Sequence, residues 1–215
     1  MRIGLILRRY GEKYSESLGI RLRSGKKGEI FKWFIASALL GARISETLAL
    51  RTYRQFEHDG LLSFEKMSKA GWDGLVASLD AGGYMRYDFS TADDLLACMR
   101  LLRERYNGDL NGLHRQAKDS RELEARLQEF RGVGPVTANI FLREMRGVWK
   151  KADPELGHLA EKAARELGIK DAKEYWKKNK AAGYDFVNFE TALMRLGREA
   201  RRKKTTAGKV VESLG

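Results

Sequence analysis

Apolar residues recur along this chain at three- and four-residue intervals, and no stretch alternates with period two, so the pattern predicts an all-α fold. A helix is expected over 28–40, with Phe31, Phe34, Ile35, Ala38 and Leu39 on its buried side. Ser45 followed by Glu46 reads as the cap of the next helix, which runs to about His58 through Leu48, Leu50, Tyr53 and Phe56. Shorter helices are expected over 63–70 and 72–79, ended by Gly82-Gly83. Ser90 with Asp93 reads as the opening of a strong helix through Leu95, Leu96, Met99, Leu102 and Tyr106, with Asn107-Gly108 as its stop. Residues 1–27 read as a basic lead-in with weak helical character around 10–18, and the last ten residues as frayed.

The clearest local signal is Glu129-Phe130-Arg131-Gly132-Val133-Gly134-Pro135-Val136-Thr137-Ala138-Asn139. Before it, Leu123, Leu127 and Phe130 place one apolar stripe on a helix over 119–130; after it, Val136, Ile140, Phe141 and Met145 recur at helical spacing. Pro135 suits a first helical position, and the two glycines permit backbone angles and close approaches that side chains forbid. The expectation is a helical hairpin whose second helix presents partner-free amides and a positive dipole end, which together favour a phosphate. Asp153-Pro154 stands where a third helix is expected to begin, with Leu156, Leu159, Ala160, Ala163 and Leu167 on one face and Gly168 closing it. Helices over 171–181 and 185–203 complete the chain.

Charge sharpens this picture. Forty-one Lys and Arg against 29 Asp and Glu give a net +12, and acidic residues are interspersed throughout, so a folded basic surface for a polyanionic partner is the first expectation. The 215 residues can bury one large core or two small ones. A single cysteine, Cys98, excludes an internal disulfide and any zinc or iron–sulfur site built on several thiolates, and it fits a reducing compartment. His58, His114 and His158 lack ligand spacing. No run has the length of a membrane span, and no secretory leader is evident.

The hairpin Gly132-Val133-Gly134 with Thr137-Ala138-Asn139, followed about twenty residues later by Ala152-Asp153, resembles the helix-hairpin-helix DNA glycosylases of the endonuclease III superfamily. Ile35-Ala36-Ser37-Ala38-Leu39-Leu40-Gly41-Ala42-Arg43 resembles that family's early core helix and DNA-probing loop, and the segment from Phe89 to Gly108 its helix and turn before the hairpin. The resemblance covers roughly residues 28–165. It implies two helical domains flanking a DNA-binding cleft: a central one over 25–147, and a second built from 1–24 and 148–215. It further implies a partner, double-stranded DNA with a damaged or mismatched base, held by Gly132, Val133, Gly134 and Thr137 at the phosphates without sequence readout. Arg43, Arg86 and Tyr87 would fill the gap left by a flipped base, since aromatic faces and guanidinium planes stack on bases of any kind. A monovalent cation, held in some members by main-chain carbonyls, would match Gln128, Phe130 and Val133.

In the family an aspartate at a helix start supports bond cleavage, and Asp153 is the matching residue. Breaking an N-glycosidic bond builds positive charge on the sugar, which a fixed carboxylate stabilises most in the transition state; it can also orient or deprotonate the attacking water. Bifunctional members carry a lysine just before the hairpin's Thr-Ala, and Val136 stands there instead, so water is the expected nucleophile and an abasic site the product. Lys150 and Lys151 are the alternative amines for a glycosylase/lyase, and a non-catalytic DNA-binding module is the alternative from another class. The family's four-cysteine iron–sulfur loop is absent, so no cluster is expected. Trp33, Trp72, Trp149 and Trp176 read as core or surface-anchoring residues, with Trp149 also close enough to Asp153 in sequence to border a base pocket. Gly-Val-Gly-Pro followed by a non-lysine is closer to the alkylpurine and mismatch types, in a monomer acting in the cytoplasm at the nucleoid or in the nucleus.

Overall fold

The computed structural model describes residues 3–214, and every regular element among them is helical, with no strand. Two compact units divide the chain: one runs to Gly19 and resumes at Glu155, and the other spans Ile20–Pro154.

The first unit opens with α1 (Ile3–Tyr10) and α2 (Tyr14–Ser17). Ile6, Leu7 and Tyr10 form a buried stripe on α1, so the lead-in contains a packed helix earlier than the weak helical signal suggests. Eight residues are too few for the helical period to show clearly, and the flanking arginines mask it.

The second unit follows with a 3₁₀ turn (Leu22–Ser24), then α3 (Lys27–Gly41), α4 (Glu46–His58) and α5 (Phe64–Ala81). It continues through α6 (Asp88–Tyr106), α7 (Leu110–Gln116), α8 (Ser120–Gln128) and α9 (Pro135–Met145). Central to it is α3, apolar on nearly all sides, against which α4, α7 and α9 pack. Gly41 is where α3 and α9 come closest: a Cβ there would overlap Thr137, with the Thr137 Cα 2.9 Å away. Phe34, Phe130 and Phe141 join the hairpin to this core, Phe34 lying 5.2 Å from Phe130 and 6.0 Å from Phe141 between ring centroids in edge-to-face arrangements.

Local signals explain most boundaries. The Ser45 hydroxyl accepts from the Leu48 amide at 3.1 Å, capping α4. Within α5, Gly71 has φ 68° and ψ −171°, so the element is two helical segments meeting at a kink. The opening of α6 differs from the expectation: it begins at Asp88 with Tyr87 at the cap, and the Ser90 hydroxyl donates to the Tyr87 carbonyl at 3.0 Å instead of capping amides. Between Gly108 and Asp119 stands α7, absent from the sequence reading; the Asp109 carboxylate caps it through the Asn111 amide at 2.9 Å. Seven residues give two apolar contacts, Leu110 and Leu113, and no visible period.

The chain returns to the first unit with α10 (His158–Glu166), α11 (Ala172–Lys178), α12 (Phe186–Arg202) and α13 (Ala207–Glu212). Here α12 is the organising helix, started by a reciprocal capping box between Asp185 and Asn188 and packed by α1, α10, α11 and α13. The Tyr10 hydroxyl donates to Glu199 at 2.7 Å, tying α1 to α12. The C-terminal segment is not frayed over 207–212: Ala207 and Val210 are buried, and the Ala207 amide donates to Glu166 at 2.7 Å.

Candidate nucleic-acid interface

The hairpin forms as α8, a six-residue turn and α9. Gly132 adopts φ 78°, in the left-handed region, whereas Gly134 has φ −88° and serves as the cap of α9 with Pro135 at its first position. A Cβ on Gly132 would meet Asp94 Oδ2 at 2.8 Å, while one on Gly134 would meet nothing within 4 Å. Only Gly132 therefore needs to be glycine for its angle, and Gly134 leaves the helix entrance open. Among the described residues the amides of Gly132, Gly134, Val136 and Thr137 donate to no protein acceptor.

Side chains around the turn behave differently from the sequence reading. Val136 is exposed instead of joining the α9 stripe, because the core-facing side of the first turn is taken by Thr137 against Gly41. Thr137 is buried, so its side chain is not presented for contact, and only its amide is available at the helix entrance. Val133 is buried, and its amide donates to the Phe130 carbonyl at 2.9 Å. Of the three matched carbonyls, that of Phe130 is thus occupied, whereas those of Gln128 and Val133 accept no donor among the described residues.

Beside the turn, α6 contributes Asp94 and Cys98, neither of them expected at the hairpin. Asp94 accepts from Arg131 Nε at 2.7 Å, and the Cys98 thiol donates to the Arg131 carbonyl at 3.2 Å. Burial pushes the Cys98 thiol up to about 12, with the Asp94 charge adding to the effect, so it remains a thiol and acts as a hydrogen-bond donor, not a nucleophile. Asp94 and Cys98 are four apart on one helix face, which is the only trace they leave in the sequence. These residues border a cavity of about 270 Å³ that Arg43, Ala42 and Gly41 line from the end of α3, Tyr84 from the loop, and Arg131 with Gly132 from the hairpin. The structure therefore brings Arg43 and Gly132 to one cavity; Arg86, Tyr87 and Asp153 do not line it.

In the loop before α6, Tyr84 is buried while Tyr87 is exposed, with the Arg86 guanidinium 5.3 Å from its ring centroid. Gly82 and Gly83 permit the turn: a Cβ on Gly82 would meet the Thr52 backbone at 2.9 Å, and Gly83 has φ 85° with Arg51 pressed against it.

Asp153 departs from the expected cap. After α9 the chain makes a turn and then runs without regular secondary structure to Gly157, the residue at the cap of α10, so neither Asp153 nor Pro154 begins a helix. Its carboxylate is taken by Arg146 at the end of α9: Nη1 lies 3.0 Å from Asp153 Oδ1, and the same guanidinium donates to the Pro154 carbonyl. The Arg146 side chain is 10% exposed and that of Asp153 54%, so a nearly buried arginine holds a carboxylate that faces solvent.

No protein-family model matches this chain, and no curated protein matches it. Around Asp153, Trp149 is core: its indole donates to Asn111 at 2.9 Å and its ring stacks on His114 at 5.2 Å between centroids. The Lys151 ammonium donates to the His114 carbonyl at 2.9 Å, whereas Lys150 is exposed. Among the described residues no group of three or more His, Cys, Asp or Glu is arranged to hold a metal ion, and no helix is long and apolar enough to cross a membrane.

Proposed function

We propose that this chain is a monofunctional DNA glycosylase of the helix-hairpin-helix type, acting on duplex DNA that carries a damaged or mismatched base. The observation that carries the reading is the Arg146–Asp153 pair on the segment that leaves the hairpin's second helix: a solvent-facing carboxylate fixed by a nearly buried guanidinium. Such a group meets the requirement for pre-organised negative charge beside a sugar that becomes cationic. The free amides at the entrance of α9 suit a phosphate of the same strand. The Gln128 and Val133 carbonyls are where a monovalent cation would be held, adding positive charge beside that phosphate.

In this reading the strand is gripped at the hairpin, and Tyr87 with Arg86 and Arg43 enter the stack as the base leaves it. Asp153 stabilises the developing oxocarbenium and takes a proton from the attacking water. The bond from C1′ to the base nitrogen breaks, its electron pair leaves with the base, and the water oxygen bonds to C1′. Binding energy spent on extrusion is recovered in the transition state, where the carboxylate meets the most positive charge. The test is release of free base from duplexes carrying single lesions or mismatches, followed by alkaline cleavage at the resulting abasic sites.

A second reading, a DNA-binding module without catalysis, is favoured by one observation. Asp153 stands four residues before the Gly157 cap of α10, not at a helix start as the glycosylase pattern has it. Duplex binding without base release from any lesion selects that reading. A lyase route through Lys151 is disfavoured, because its amine already donates to a main-chain carbonyl.

A further inference from the structure

Five large apolar side chains stand exposed among the described residues, and four of them, Trp72, Met85, Tyr87 and Phe89, belong to the start of the second α5 segment and to the loop and first turn of α6. Trp72 is 39% and Phe89 58% exposed, yet their rings touch, with centroids 5.1 Å apart and planes tilted by 41°. The kink at Gly71 ends one helical segment just before Trp72, which stands at the outset of the next. Exposed apolar surface of this kind marks a contact site, because leaving it in water gains nothing for the fold.

Three features decide the kind of partner. Three of the four exposed side chains are aromatic, the Arg86 guanidinium lies over the Tyr87 ring two residues before Phe89, and none of the four is the Leu, Ile or Val that fills an apolar protein interface core. Aromatic faces beside an arginine are what sequence-tolerant stacking on unstacked bases requires. Asp73 and Asp88, the sequence neighbours of the two rings, repel phosphate, so the ligand is a base and not the backbone. We propose that Trp72 and Phe89 form a stacking platform for an unpaired DNA base. This deepens the function proposed above, on which its DNA partner rests, and adds a preference for DNA with an unpaired or bulged nucleotide over a perfect duplex.

Trp72 gives a direct readout. The other three tryptophans are buried, Trp33 at 0%, Trp149 at 2% and Trp176 at 6% exposure, so quenching of the accessible emission reports on Trp72. A short single-stranded oligodeoxynucleotide, a duplex with a one-base bulge and the fully paired duplex are compared by tryptophan emission and, with a distant label, by anisotropy. The single strand and the bulge are expected to quench Trp72, and the paired duplex to bind with little quenching. Phe89→Ala and Trp72→Ala are expected to weaken binding of the first two roughly tenfold while sparing the paired duplex, and Trp72→Phe to restore it. Both positions are exposed, so the variants keep the fold, which circular dichroism verifies. Unchanged emission and unchanged affinity in the Ala variants, with DNA still bound, overturns the platform, as does a wild-type dimer that Trp72→Ala converts to monomer. Quenching by unpaired DNA without base release from any lesion leaves the platform standing and removes the glycosylase reading instead.

Discussion

Arg146 Nη1 lies 3.0 Å from Asp153 Oδ1, so the residue at the C-cap of the hairpin's second helix fixes the carboxylate that follows it. The arginine also donates to the Pro154 carbonyl, which ties the irregular segment itself to the end of α9. A misplacement of about 1 Å in a reacting group can cost roughly 100-fold in rate. Arg146→Gln is accordingly expected to slow single-turnover base release by about 10- to 100-fold with DNA affinity largely kept. Arg146→Lys should recover part of it, since an ammonium reaches one of the two acceptors. Equal loss of affinity and rate in both variants points to a purely structural role.

The two hairpin glycines separate cleanly. Gly132→Ala places a side chain at φ 78° and against Asp94, which is expected to cost about 1–3 kcal/mol in thermal or urea unfolding. Gly134→Ala has φ −88° and open space, so its stability should stay within about 0.5–1 kcal/mol of the wild type. Similar losses for both contradict the geometry.

Much of the second unit was legible because its boundaries are written in caps and turns: Ser45 before α4, Asn107-Gly108 after α6, and Gly134-Pro135 before α9. Short elements were not legible, since α1, α7 and α13 each give only two or three buried apolar residues. Asp153 misled for a physical reason. Asp-Pro is good cap chemistry, but an arginine seven residues earlier competes for the same carboxylate, and that contact has no local sequence signature. Thr137 and Val136 exchanged roles because Thr137 packs against Gly41, almost one hundred residues away, which leaves Val136 on the exposed side. Asp94 and Cys98 become visible only when α6 is laid beside the turn.

The crossing of α3 and α9 offers a second stability test. Gly41→Ala drives a methyl into Thr137 and its backbone, where neither helix can yield without losing core contacts, and overpacking of this kind costs about 1–3 kcal/mol. The double variant with Thr137→Ala, which removes the Oγ1 closest to the added methyl, is expected to recover part of that loss in chemical denaturation. No coupling between the two positions places the tight contact elsewhere.

Acid sensitivity follows from Glu29. Burial alone raises its carboxyl, but hydrogen bonds from Lys32 Nζ at 2.9 Å and the Arg21 amide at 2.6 Å overrule burial and hold it below the usual 4.5. A lowered folded-state value means that this stabilisation is present above pH 4.5 and is lost as pH falls through the folded-state value. Glu29→Gln is expected to cost about 1–3 kcal/mol near neutral pH, a gap that narrows as the solution is acidified below about 4.5. A gap that is constant with pH assigns the loss to packing alone.

The glycosylase account stands on the carboxylate of Asp153, and its most direct test is single-turnover release of free base from a panel of lesion-bearing and mismatched duplexes by the wild type and by Asp153→Asn. The account predicts release from at least one duplex by the wild type, and a loss of at least about 100-fold in Asp153→Asn with unchanged DNA affinity. Release by Asp153→Asn at the wild-type rate, or no release from any duplex while binding persists, contradicts it.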